Sequence, residues 1–156
     1  MLDASTTALF VVKNILQKKK ITLITNSIEI LLELSNKTDW NILSTGGVLK
    51  EGGLSLVGYQ AEKMISAFHV DLAVCSCKGL DSEMGITDSN EKDAEIKKAF
   101  FRAAKKRVLA VDSTKFDKIS FVQISDLTGV DAIVTDVEPS ALWKQNFAAA
   151  KVDVLY

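Results

Sequence analysis

Apolar positions along this chain follow two alternating patterns. Short continuous runs read as buried strands, and apolar residues three or four apart read as helices. Residues 21–25 are the first such run, and Ile28, Leu31, Leu32 and Leu34 follow at helical spacing. Residues 41–44 and 54–57 are further strand candidates, then comes a helix over 61–68 and a strong strand over 70–77. A helix is predicted over 93–106, with Ile96, Ala99, Phe100 and Ala103 on one face, leading into a strand over 107–112. The chain closes with a strand over 131–135, a helix over 140–149 and a strand over 152–156. Its single proline, Pro139, stands where that last helix could start.

Continuous apolar strands alternating with helices predict an α/β fold with a mostly parallel sheet and helices on both faces. Right-handed crossovers follow. In such sheets ligands bind at the carboxyl ends of the strands. Polar chemistry just after each strand is therefore the place to look for a site.

The N-terminus has an unusual feature. Asp3-Ala4-Ser5-Thr6-Thr7 resembles a strand-to-helix turn, and residues 6–17 read as a helix. Only Met1 and Leu2 are left to feed that turn, where a strand of about 5–6 residues is usual. The expectation is a chain that starts inside a domain and is truncated at its N-terminus.

Composition narrows the class. With 156 residues, 47% hydrophobic and 25% charged, residues 1–156 read as one globular domain and not as a disordered chain. No apolar run approaches the ~20 residues of a membrane-spanning helix. No signal peptide opens the chain, which points to the cytoplasm. Nineteen basic and 20 acidic residues give a net charge of −1, so the basic footprint of nucleic-acid binding is missing. This chain is not expected to hold DNA tightly by itself. Cys75 and Cys77 fall on one face of a strand and read as core residues, since two thiols make neither a disulfide framework nor a zinc site. His69 opens a strand, the wrong end for ligand chemistry. Lys18-Lys19-Lys20 reads as a solvated helix end.

Five polar turns each follow a predicted strand. Asp3-Ala4-Ser5-Thr6-Thr7 could hold a phosphate or carboxylate on free backbone N–H groups, or could simply cap its helix. Thr25-Asn26-Ser27 has the same two readings. Gly46-Gly47 allows close approach of a ligand or a plain turn. Lys78-Gly79-Leu80-Asp81 places a lysine and a carboxylate after the longest strand, in a loop running on to Asn90. Asp93 and Lys97 then share a helix face, where an ordinary surface pair would contribute ~0.3–0.5 kcal/mol. Asp112-Ser113-Thr114-Lys115 again sets a lysine and hydroxyls after a strand, and lysine suits a phosphate as a point charge. There is no metal-ligand cluster, Walker-type loop or G-x-G-x-x-G run, and neither metal nor cofactor is expected.

Taken in order, these segments resemble the effector-binding domain of DeoR-type bacterial repressors of sugar metabolism. The resemblance rests on Leu-Asp-Ala-Ser-Thr-Thr (2–7), Thr-Asn-Ser (25–27), Thr-Gly-Gly-Val-Leu (45–49), Leu-Ser-Leu-Val-Gly (54–58) and Lys-Gly-Leu-Asp (78–81). Gly-Ile-Thr (85–87) with Asn90 and Lys97, and Asp-Ser-Thr-Lys-Phe (112–116), complete it. It covers essentially the whole chain.

The resemblance implies a Rossmann-like sheet similar to that of ribose-5-phosphate isomerase and the CoA transferases. It implies a phosphorylated sugar or related metabolite as effector. DNA would be bound only through an N-terminal winged helix-turn-helix that these residues do not include. A dimer or tetramer would pair those heads on a two-half-site operator. Asp3, Ser5, Thr6 and Thr7 are similar to the family's phosphate-side loop, and Thr25, Asn26, Gly46 and Gly47 to its pocket wall. Lys115 resembles the basic residue that closes over the ligand. Asn90, Asp93 and Lys97 resemble the lid that reads the sugar, with Asn26, Lys78, Asp81 and Asn90 meeting its hydroxyls. Closing the loop from Lys78 to Asn90 would bias one subunit arrangement.

Two positions depart from the family pattern. Lys78 stands where an acidic or small residue is usual and where related isomerases place a catalytic acid. Asp93 stands where glutamate is usual. The chain therefore reads as a non-catalytic sensor. A sugar-phosphate isomerase-like enzyme, with Asp81 or Asp93 as base, is the alternative.

Overall fold

Helices and strands alternate through the computed structural model, which describes residues 1–37 and 39–156. Helix α1 (Thr6–Ile15) is followed by β1 (Thr22–Thr25), α2 (Ile28–Leu34) and β2 (Asn41–Ser44). Strands β3 (Val48–Leu49) and β4 (Leu56–Val57) form a hairpin ahead of α3 (Tyr59–Ser66) and β5 (Val70–Cys75). A second hairpin, β6 (Gly79–Asp81) and β7 (Gly85–Asp88), leads to α4 (Glu91–Ala103), β8 (Ala104–Ala110) and β9 (Val122–Ser125). Strand β10 (Ala132–Val134), α5 (Ala141–Ala150) and β11 (Asp153–Leu155) complete the chain.

Leu2 joins the sheet together. Strands β1 and β2 pair in parallel, and so do β5, β8, β10 and β11 in the order β11-β10-β8-β5. Leu2 forms parallel bridges to Thr25 on one side and Val74 on the other. Its N–H donates to the Ile24 carbonyl at 3.0 Å, and the Val74 N–H donates to the Met1 carbonyl at 3.0 Å. The short segment Met1-Leu2 thus bridges β1 and β5 into one parallel sheet, and Asp3 stands just after it. This is the mostly parallel α/β architecture expected from the periodicity.

Strand side chains alternate between the two faces. Ile24, Ala73, Cys75 and Leu109 join a core with Ile65 of α3, Phe100 of α4 and Phe147 of α5. Their neighbours Leu23, Val74 and Ala110 join a second core with Val12 of α1 and Ile30 and Leu34 of α2. Each fully buried large side chain contributes about 1.5–3 kcal/mol. The serines of the first two polar turns cap helices. The Ser5 and Ser27 hydroxyls accept from the N–H groups of Ala8 and Ile30.

Three expectations are corrected by tertiary pairing. The helix expected over 93–106 ends at Ala103, because Ala104 and Lys106 pair with Val70 and Leu72 of β5. The segment expected as a loop from Lys78 to Asn90 is largely the β6–β7 hairpin, with β9 as a third antiparallel strand. Leu80 and Ile86 are fully buried in it, so it is a packed element and not a free lid. Of residues 54–57 only Leu56 and Val57 are strand, and the turn at Gly46-Gly47 opens their partner β3. Among the described residues no helix is long and apolar enough to cross a membrane, and no group of three His, Cys, Asp or Glu could hold a metal.

Candidate functional site

A cavity of about 450 Å³ opens at the carboxyl ends of the parallel strands. Turns after the strands supply most of its wall: Asp3 to Thr7 after Met1-Leu2, Asn26 after β1, Ser76 to Lys78 after β5, and Asp112 and Lys115 after β8. Lys50 and Ser55 reach it from the β3–β4 hairpin, and Asp88, Asp93 and Lys97 from β7 and α4. This is where an open parallel sheet gathers ligand groups.

Its floor is a buried charge cluster. Lys97 is 8% exposed, and its ammonium lies between the carboxylates of Asp3 and Asp88, two residues each 1% exposed. It forms a short ion pair with Asp88 and lies 3.4 Å from Asp3 Oδ2. Burial alone would lower the Lys97 pKa, but the two carboxylates and the Asp88 hydrogen bond together hold it above the usual lysine value. The remaining carboxylate lone pairs are also used. Asp3 accepts from the Ser5 hydroxyl at 2.6 Å and the Ser76 N–H at 3.1 Å, and Asp88 accepts from the Ser89 N–H at 2.7 Å.

Two further lysines of the wall are already neutralised. Lys50 pairs with Asp93, which also accepts from Asn90 Nδ2 at 2.7 Å. Burial would raise the Asp93 pKa, but the hydrogen bonds from Lys50 and Asn90 hold it below the ordinary carboxylate range. Lys115 lies 3.2 Å from Asp112, whose pKa is lowered chiefly by the hydrogen bond from the Thr114 hydroxyl.

Other groups in the cavity are free. Among the described residues Lys78 has no ion-pair or side-chain hydrogen-bond partner, and neither does Glu29. No acceptor among them takes the backbone N–H of Thr6 or Thr7 at the start of α1. Asn26 Oδ1 and Ser55 Oγ are buried with no hydrogen-bond partner among the described residues. The cavity thus offers donors at Lys78 and the α1 terminus, and acceptors at Glu29, Asn26 and Ser55.

Nine of the residues singled out from the sequence line this cavity: Asp3, Ser5, Thr6, Thr7, Asn26, Lys78, Asp93, Lys97 and Lys115. The other five stand outside its lining. Thr25 is buried behind it, where its hydroxyl accepts from the Ser27 N–H at 3.1 Å. Gly46 and Gly47 form the turn into β3, and a Cβ on Gly47 would meet the Val57 carbonyl at 2.6 Å. Asp81 closes the β6–β7 turn, accepting from the Glu83 and Met84 N–H groups, each at 2.9 Å. Asn90 caps α4 and orients Asp93. Asp93 and Lys97 share a helix face without forming the ordinary surface pair, because each takes a partner from another element.

Sequence reading passed over Lys50, Ser55, Asp88 and Glu29. Lys50 and Ser55 sit in a hairpin too short to show a period. Asp88 ends the short strand Gly85–Asp88, which is buried throughout and so shows no alternation. Glu29 follows Thr25-Asn26-Ser27 in the first turn of a helix, where a carboxylate is ordinary. Neither candidate base for isomerase chemistry is suited to it. Asp81 lies outside the cavity wall, and Asp93 is ion-paired with a lowered pKa.

Sequence comparison identifies the family. Residues 1–137 match the DeoR C terminal sensor domain. The chain is 41% identical over 136 residues to the HTH-type transcriptional regulator YulB of Bacillus subtilis, covering 87% of this chain and 52% of that protein. It is 35% identical over 140 residues to the HTH-type transcriptional repressor GlcR of Bacillus subtilis, covering 90% and 54%. It is 32% identical over 135 residues to the L-fucose operon activator of Haemophilus influenzae, covering 86% and 54%. The chain therefore spans about half the length of these relatives, which are named as transcriptional regulators and not as enzymes. With a match across most of its length, the chain belongs to the DeoR C-terminal sensor domain family.

Proposed function

We propose that this chain senses a phosphorylated sugar for a transcriptional regulator, most simply a repressor in the cytoplasm. The observation that carries this reading is that Lys78, a residue of the cavity wall, has no ion-pair partner among the described residues and shares that wall with the free N–H groups of Thr6 and Thr7, while the three other lysines of the wall are ion-paired. A phosphate dianion meets both needs, because helix N-termini and lysine favour anions. Hydrogen bonds to a charged group contribute about 1.5–3 kcal/mol each. Lys115 closes the same site by exchanging part of its contact with Asp112 for the phosphate.

In this reading residues 1–156 are one effector-sensing domain, and a helix-turn-helix elsewhere in the longer protein holds the operator as part of a homodimer or tetramer. Ligand contact with Ser5 and Asp3 acts directly on the Met1-Leu2 segment that bridges β1 and β5, and with Lys97 on α4. A tenfold change in operator affinity needs about 1.4 kcal/mol of differential binding. Thermal unfolding against sugar phosphates, their free sugars and inorganic phosphate tests the reading. A ligand at ~100 times its Kd adds about 2.7 kcal/mol, several degrees at this size. A shift confined to phosphorylated compounds and lost in Lys115→Ala supports it. A shift with free sugars equal to that with their phosphates refutes it.

A further inference from the structure

The sugar-phosphate reading accounts for the donors of the cavity and leaves its acceptors without a role. Five carboxylates line the wall, and four are engaged: Asp3 and Asp88 by Lys97, Asp93 by Lys50, and Asp112 by Lys115. Glu29 alone has no partner among the described residues. Two buried oxygens in the same wall are also unpaired. Asn26 is 2% exposed and Ser55 5%. Asn26 Nδ2 donates to the Leu56 carbonyl at 3.0 Å, which fixes the amide and leaves Oδ1 as the free atom. An antiparallel bridge between Ser27 and Ser55 ties the hairpin to this turn. A buried polar atom without a partner is costly, and a ligand that supplies one removes the cost.

We propose that Glu29, with Asn26 Oδ1 and Ser55 Oγ, is an acceptor subsite that reads adjacent hydroxyl groups of the ligand. The inference rests on the sugar-phosphate reading of the cavity and narrows it. An ionised carboxylate and an amide oxygen accept hydrogen bonds and donate none. They select a polyhydroxylated sugar monophosphate. A second phosphate has no protons to give at neutral pH beyond a fraction of one, and it would face Glu29 with like charge. Sugar bisphosphates are therefore rejected, and Glu29 is a specificity-determining residue.

The test is calorimetric titration of wild type and Glu29→Gln with inorganic phosphate, ribose 5-phosphate, glucose 6-phosphate, glucosamine 6-phosphate and fructose 1,6-bisphosphate. Thermal unfolding confirms that the variant is folded. The proposal expects at least one sugar monophosphate to bind wild type tenfold or more tightly than inorganic phosphate. Glu29→Gln should weaken that ligand about tenfold and move inorganic phosphate less than twofold, a selective loss that a structural role would not give. Equal weakening of both, weakening of neither, or tightest binding by the bisphosphate overturns it. Tightest binding by the aminosugar, lost in Glu29→Gln, also overturns it, by placing an ammonium against the carboxylate. If no phosphate compound binds but free ribose or glucose does, and Glu29→Gln abolishes that, the phosphate reading fails and the acceptor subsite stands. If nothing binds, both fail.

Discussion

Lys97 Nζ lies 3.4 Å from Asp3 Oδ2, so the α4 helix is tied to the end of the Met1-Leu2 segment that bridges β1 and β5, at the floor of the cavity. Asp88 shares the same ammonium. Removing that charge would leave two buried carboxylates without compensation. Lys97→Met should therefore destabilise the fold by about 3–5 kcal/mol, which denaturant unfolding would measure. The Lys105–Asp71 pair, 3.5 Å apart but with side chains 80% and 96% exposed, gives the contrast. Asp71→Asn should leave stability unchanged within error.

The Lys50–Asp93 pair makes stability depend on pH. The folded pKa of Asp93 is below its ordinary value, so its contribution is complete above the unfolded carboxylate pKa of about 3.9 and fades as pH falls through the folded value. Asp93→Asn should lower Tm at pH 7, and the gap to wild type should narrow below about pH 4. A gap constant from pH 7 to pH 3 would show that the ion pair contributes nothing.

Backbone constraints differ between two turn glycines with the same sign of φ. At Gly85, with φ +71°, a Cβ would meet the Ser125 carbonyl oxygen at 2.3 Å, and at Gly46, with φ +62°, it would meet nothing within 4 Å. Gly46→Ala should cost about 1 kcal/mol from the left-handed backbone alone. Gly85→Ala adds a clash with β9 and should cost on the order of 3 kcal/mol. Chemical denaturation of the two variants checks the order.

Both thiols are buried, and burial pushes them up, Cys77 to about 12 and Cys75 well above its usual value. The thiolate is the reactive form. Iodoacetamide at pH 8 should leave both unlabelled in the folded protein and label both in denaturant, as intact mass would report.

The sheet could be read from the sequence because its strands are apolar on both faces and so appear as continuous runs. Ile24 and Leu23 serve opposite cores, and Val74 and Cys75 do the same. The antiparallel additions could not be read. Val48-Leu49 and Gly79-Leu80-Asp81 are too short for a period and exist through pairing with the hairpin strand that follows each. Residues 104–106 look helical because Ala and Lys favour helices, but pairing with β5 decides them. Of the site, the turns after strands were legible because their polar residues break apolar runs. The assignment of partners was not. Asp93 and Lys97 are correctly spaced for a pair on one helix, yet Lys50 and Asp88 take them.

The account rests most directly on Lys78 as the wall lysine with no ion-pair partner among the described residues. The decisive measurement is calorimetric titration of wild type and Lys78→Ala with the sugar phosphate that most raises Tm, and with the same sugar unphosphorylated. The account predicts that wild type prefers the phosphate form at least tenfold and that Lys78→Ala removes most of that preference while leaving the weak affinity for the free sugar. An unchanged preference in Lys78→Ala, or equal binding of both forms by wild type, would contradict it.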